Sequence, residues 1–118
     1  MSQYNVGQKA FTAAETITRY QGVKLSSAGT VSVAGSNEAN IGFADGNAVS
    51  GETLTVKLKN VGGTFKAKAN GTFSAAASLY NMAAGTVDDV SGGTARYLAI
   101  EAATASGDIV EVLPIETY

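Results

Sequence analysis

The sequence predicts an all-β protein: a compact β-sandwich or barrel built from two similar units of about 56 residues, with little or no helix. Three observations point to it. Short runs alternate apolar and polar side chains, the period of a half-buried strand. Fourteen glycines and a single proline are spread between those runs, as turns between short strands require. Finally, two parts of the chain echo each other at an offset of 56 residues: Ala28-Gly29-Thr30-Val31 returns as Ala84-Gly85-Thr86-Val87, and Ser50-Gly51 returns as Ser106-Gly107. Keeping that offset without a gap sets Ile17 against Phe73, Val23 against Leu79, Asp45 against Glu101, Glu52 against Asp108, and Leu54 and Val56 against Val110 and Val112. The expected organisation is a polar arm over residues 1–9, then one β domain over 10–118. Its repeat units run from about 10 to 62 and from 66 to 118, packed face to face with approximate two-fold symmetry. Neither unit is expected to bury its apolar face alone.

In chain order, Glu15 to Leu25 is β-leaning through Thr16, Ile17, Thr18, Tyr20 and Val23, with Gly22 at a bulge. Ala28-Gly29 is a turn leading to a short strand. Ile41 to Leu58 holds a small-residue connection, the turn Ser50-Gly51-Glu52 and the clearest alternation. There Leu54, Val56 and Leu58 point one way, and Thr55, Lys57 and Lys59 the other. Asn60 to Gly63 reads as a four-residue hairpin loop, after which Phe65, Ala67 and Ala69 share a face. Asn70-Gly71 is a two-residue hairpin signal. Phe73 to Ala84 is rich in Ala, which favours helix. The echo instead predicts a strand from Leu79 to Met82, with at most one helical turn near Ala75. Tyr97 to Glu101 and Ile109 to Ile115 are the last strands, with Pro114 marking an edge or an end.

Composition removes several functions. The chain has no His and no Cys, which excludes Ser-His-Asp and Cys-His catalysis, thiolate or imidazole zinc sites, and disulfides. A net charge of −2 gives no strong attraction to nucleic acid or an anionic membrane. The N-terminus has no long apolar run, so neither a signal peptide nor a membrane span is expected, and synthesis in a cytoplasm is. Hydrophobic residues make up 45% of the chain, but many are Ala and none is Trp. Small side chains bury little area each, so part of the stability is expected from association with copies of itself or a partner.

Lys57, Lys59, Lys66 and Lys68 form the one basic cluster. With a hairpin at Asn60 to Gly63, Lys57 faces Lys66, and the stripe either meets an acidic surface or is a solvated edge guard. Asp45-Gly46-Asn47 and Asp88-Asp89 are too sparse in oxygen ligands for Ca²⁺ and read as turn residues. No catalytic, cofactor-binding or metal-binding residue is expected. Phe11 reads as core, and Tyr4 as an interface anchor on the arm.

Three stretches carry a family resemblance: AGTVSVAGSNEANIGFADGNAVSGETLTVKL, SLYNMAAGTVDD and GGTARYLAIEAATASGDIVEVLP. They resemble the capsid decoration proteins of tailed bacteriophages, also called cement or head-stabilisation proteins. The matching parts are Gly29, Ile41-Gly42, Asp45, Ala48 and Gly51-Glu52, then Gly85, Leu98 to Ile100, Glu101, Ala102-Ala103 and Gly107-Asp108. Tyr97-Leu98 departs from the pattern where Ile-Gly is typical. The resemblance implies a structural virion protein, not an enzyme, made in the host cytoplasm. It would sit on the outer capsid surface and stabilise contacts between subunits of the major capsid protein. It would act as a homo-oligomer, a trimer being favoured, without cofactor, nucleic acid or membrane. On that reading Tyr4, Lys57, Lys59, Lys66 and Lys68 are candidate capsid or subunit contacts. The alternative is a β-sandwich recognition module for carbohydrate or adhesion. It is disfavoured because such sites need exposed aromatics beside polar groups, and the chain has scattered Tyr and no Trp.

Overall fold

The computed structural model of the chain describes residues 8–59, 63–91 and 93–115. It is all-β, as the alternation predicts. Five strands form the first unit: β1 (Gln8–Ala13), β2 (Gly22–Ser27), β3 (Thr30–Val33), β4 (Gly42–Ala44) and β5 (Thr53–Leu58). They close into a barrel in the order β1-β3-β2-β4-β5, with β5 returning to pair antiparallel with β1. Closure follows from the pattern. Phe11, Ala13, Val23, Val31, Leu54 and Val56 each point to one face of their strand, and curling that face inward buries all of them. Ile17 and Ala48, joined by an isolated antiparallel bridge, plug the same core. Each large aliphatic side chain removed from water there contributes about 1.5–3 kcal/mol. The barrel is narrow where β4 meets β5. A Cβ added at Gly42 would stand 2.0 Å from the Lys57 carbonyl oxygen, so no larger residue fits between these strands as they lie.

The second unit holds β6 (Phe65–Lys68), β7 (Ser78–Asn81), β8 (Val87–Asp88), β9 (Tyr97–Ala99) and β10 (Ile109–Pro114). A 3-10 turn, Ala83–Gly85, precedes β8. The sheet order β6-β10-β9-β7-β8 retraces the first barrel strand for strand. Only the seam differs. In the barrel β1 and β3 pair in parallel through Thr12–Thr30 and Ala13–Val31. In the second unit the corresponding seam is one parallel bridge, Ala69–Val87, so the barrel is left partly open. The likeness reaches local geometry. Tyr20 and Ala76, related by the offset, are non-glycine residues at φ 75° and 71°. Gly51 and Gly107 turn at φ 90° and 93°. Ser50 and Ser106 donate their hydroxyls to the carbonyls of Ala14 and Asn70, again equivalent positions.

Several expectations are corrected. The units are related at offset 56 along β5 and β10, but β4 and β9 shift by one residue. Ala44 pairs with Val56 where Ala99 pairs with Val112, so Gly42 corresponds to Tyr97 and Asp45 to Ile100, not to Glu101. Each sheet curls around a core cluster of its own, although the second cluster also takes in Phe43 from the first unit. Residues 60–62 of the expected hairpin loop lie outside the described residues, and the strands on either side are not paired to each other: β5 pairs with β1 and β4, and β6 with β10. Asn70-Gly71 likewise joins strands that are not paired to each other, since β7 lies between β8 and β9. The β-leaning run from Glu15 breaks at the turn through Arg19 and Tyr20, and its bulge lies between Leu25 and Ser27 rather than at Gly22. Gln8 and Lys9, expected in the arm, are the first residues of β1.

The two units meet end on, giving extents of 42 × 26 × 22 Å. Phe43 projects from the outside of the barrel into the second core, 5.6 Å from the Phe65 ring and 5.5 Å from the Tyr97 ring. Around it the chains are joined by polar bonds. Gly85 N–H donates to the Ala34 carbonyl, Asn37 N–H to the Asn81 carbonyl, and the Gln21 side-chain amide to the Ala84 carbonyl.

Candidate functional site: the junction between the units

The residues singled out in the sequence separate here. Lys57 leaves the outer face of β5, exposed, and Lys66 leaves the outer face of β6, also exposed. They are not strand neighbours. Lys66 instead lies across from Glu111 on β10, and its ammonium is 3.8 Å from Glu101. Both lysines nevertheless line one cleft at the junction, about 120 Å³ in volume, with Arg19, Tyr20 and Asp45 beside them. Arg19 is 3.3 Å from the Asp45 carboxylate and lies 5.0 Å from the centre of the Tyr20 ring. Exposed pairs of this kind contribute under about 1 kcal/mol each. Their effect is to leave a cleft rim with more cation than anion. Lys68 is partly buried at the end of β6, opposite Ile109. Tyr4 lies outside the described residues.

Lys59 is the correction with the most consequence. Expected on the solvent face with Lys57, it is 1% exposed. The strand ends at Leu58, so the alternation stops one residue short of it. Its backbone N–H donates to the Ile41 carbonyl, and its side chain turns into the junction. There its ammonium donates to Asn40 Oδ1 at 3.2 Å and lies 5.3 Å from the centre of the Tyr97 ring. A buried lysine offers no surface to a partner.

The same Asn40 oxygen also accepts the Tyr97 hydroxyl at 2.5 Å and the Asn81 amide at 3.0 Å. Asn81 reaches across to the Glu38 carbonyl as well, at 2.6 Å, while the Asn40 amide donates to Gly42. Buried polar groups must be paired, and this network pairs residues of one unit with residues of the other. Nothing in the sequence marks it. Asn40 stands between Ala39 and Ile41 without a motif, and its partners lie 19, 41 and 57 residues away. Arg19 in the cleft was missed for the same reason, and Asp45 was read only as a turn residue.

The two acidic spots serve as local anchors. Asp45 holds Arg19 and Gln8, Asn47 accepts the Arg19 N–H, and Asp88 accepts from Asn70 and from Asp89 N–H. Among the described residues, no group of three or more acidic side chains is placed to hold a metal ion. Phe11 packs in the barrel core.

Comparison with known proteins finds similarity among solved structures. No family model and no curated protein matches the chain. Among solved structures, the head fiber gp8.5 N base in bacteriophage phi29 matches with a TM-score of 0.78 at 16% identity, over 91% of this chain and 92% of that chain. The chain has the fold of this phage head-fiber base. Coverage of 91% exceeds either unit alone, so the shared fold includes both units and their junction.

Proposed function

We propose that the chain is a structural protein of a tailed-phage virion that binds the outer surface of the mature head and stabilises contacts between major-capsid subunits. The observation that carries this reading is the two-unit fold shared, nearly end to end, with a phage head-fiber base. The resemblance of its turn and strand motifs to capsid decoration proteins supports it separately. Physically, a domain that binds the assembled shell and not the loose subunits stabilises the shell by mass action. The chain acts as a homo-oligomer, with a trimer favoured, and as a single two-unit β body preceded by a short arm bearing Tyr4. The basic rim formed by Lys57, Lys66 and Arg19 is the surface offered to an acidic patch on the shell, with Lys68 at its border.

The test is sedimentation of the purified full-length chain with mature heads of its phage that lack it. The chain is expected to travel with the heads and to raise the temperature at which they release DNA. A chain that stays at the top of the gradient overturns the proposal. For the basic rim, Lys57→Glu with Lys66→Glu is expected to weaken head binding at least tenfold and to make the remaining binding insensitive to salt. Unchanged binding removes the rim from the contact.

A further inference from the structure

The outer face of β9 and β10 is the counterpart of a face that the first unit buries in part, at Phe43 and Lys59, while Lys57 stays exposed. Backbone hydrogen bonds fix the correspondence. Lys59 N–H donates to the Ile41 carbonyl, and Ile115 N–H donates to the Arg96 carbonyl. Phe43 pairs across from Lys57, and Leu98 pairs across from Leu113. Phe43, Lys57, Lys59 and Asp45 therefore correspond to Leu98, Leu113, Ile115 and Ile100. In the first unit Phe43 is 2% and Lys59 is 1% exposed, because the second unit covers them. In the second unit Leu113 is 38%, Ile100 is 45% and Ile115 is 46% exposed, with Leu98 half-buried between them. Every charged member of the set has become aliphatic exactly where the covering unit is missing. Exposure alone would select polar residues at such a face, and large exposed apolar patches mark interaction sites.

The covering edge is also repeated. The second unit reaches the first through Asn81 on β7. The residue at the same place on β2 is Leu25, which is 51% exposed. The face and the edge are thus both duplicated; in the copy the face is aliphatic and the edge presents Leu25, flanked by Lys24 and Ser26, and neither is covered within one chain among the described residues.

We infer that the Leu98, Ile100, Leu113 and Ile115 face of one molecule is covered by the Leu25 edge of a second copy of this chain, as the second unit covers the first within a molecule. Such a contact is head-to-tail, and head-to-tail contacts close into rings when the rotation permits. The inference rests on the self-association in the proposed function and names its surfaces. It does not involve the basic cleft rim, which lies on the outer faces of β5 and β6.

The test uses the full chain in solution. Leu113→Glu and Leu25→Glu are each expected to turn the oligomer into a monomer by light scattering, with the circular dichroism spectrum unchanged. Mixed in equal amounts, the two variants retain one intact face and one intact edge between them, and are expected to form a dimer and nothing larger. Ile100→Lys, at a position more exposed than Leu113, replaces Leu113→Glu should the latter fail to fold. A monomeric wild-type chain overturns the inference, as does a Leu25→Glu chain that stays oligomeric, or a mixture that stays monomeric. Sedimentation with heads separates this outcome from the capsid reading. Head binding by a monomeric wild-type chain overturns the inference alone, and an oligomer that ignores heads overturns the capsid reading alone.

Discussion

Asn40 concentrates the junction in a single oxygen atom. It accepts from Lys59, Asn81 and Tyr97, two of which belong to the other unit, and it is fully buried. Removing an acceptor shared by buried donors costs their desolvation, and more when one of them is charged. Asn40→Ala is therefore expected to destabilise the chain by about 2–4 kcal/mol in urea unfolding. Asn40→Asp restores an acceptor beside the Lys59 ammonium and is expected to lose less. Equal losses in the two variants would argue against this account. At this scale the sequence was least informative. The alternation that correctly pointed Leu54 and Val56 inward and Lys57 outward also pointed Lys59 outward, because periodicity carries no mark of where a strand ends. The buried lysine is set by a contact with Tyr97, and no local pattern encodes that distance.

The turns before β5 and β10 show how an element can be kept while its chemistry drifts. Both place a glycine at positive φ and a carboxylate just after it, and in both that carboxylate accepts a backbone N–H three residues back: Val49 for Glu52, Ala105 for Asp108. Asp108 additionally takes the Thr104 N–H and hydroxyl. The Thr104 bonds, first the backbone N–H and then the hydroxyl, hold its carboxyl below the ordinary aspartate range, with Ala105 N–H adding to them. The Lys24 ammonium and then the Gly35 N–H do the same for Glu38. A carboxyl lowered in the fold stabilises it at neutral pH, and this stability is lost as pH falls from the ordinary carboxylate range through the lowered value. Thermal unfolding is accordingly expected to drop on acidification below about pH 4.5, and Asp108→Asn to flatten that slope. A variant with the wild-type slope would place the acid sensitivity elsewhere. The kink that Ala76 shares with Tyr20 offers a second measurement. At φ 71° an alanine is strained and glycine is not, so Ala76→Gly is expected to stabilise by about 0.5–1 kcal/mol. Turns and strands of this kind were readable because Gly, Asp and Ser have local reasons for their places, as with Ser50-Gly51-Glu52. The Asn70–Gly71 signal failed as a hairpin because a turn sequence fixes a change of direction, while strand pairing is fixed by the sheet that the whole unit closes.

For the whole molecule, the echo at 56 residues was the most productive feature of the sequence, since it pointed to two similar β-units, and the fold contains two five-stranded sheets of matching order. What it could not supply was how the units meet. Phe43 leaves its own barrel to fill the other core, a placement invisible to an offset that aligns each unit with itself. Phe43→Ala is expected to cost about 3–5 kcal/mol, read as a shift of the urea midpoint, because it empties a well-packed aromatic site. A cost near zero would mean that the units are joined by the polar bonds alone.

The partly open seam of the second unit has a consequence in time. In the barrel, β3 is held by β2 on one side and by two parallel pairs to β1 on the other. Its counterpart β8 has two residues, paired with β7, and a single bridge to Ala69. Opening it breaks fewer bonds, and segments with fewer bonds open more often. Backbone amides of Val87 and Asn70 should therefore exchange with deuterated water sooner than those of Val31 and Ala14, their counterparts across the closed seam. Two nearly identical units in one chain would then keep different clocks, with the one nearer the C-terminus breathing first.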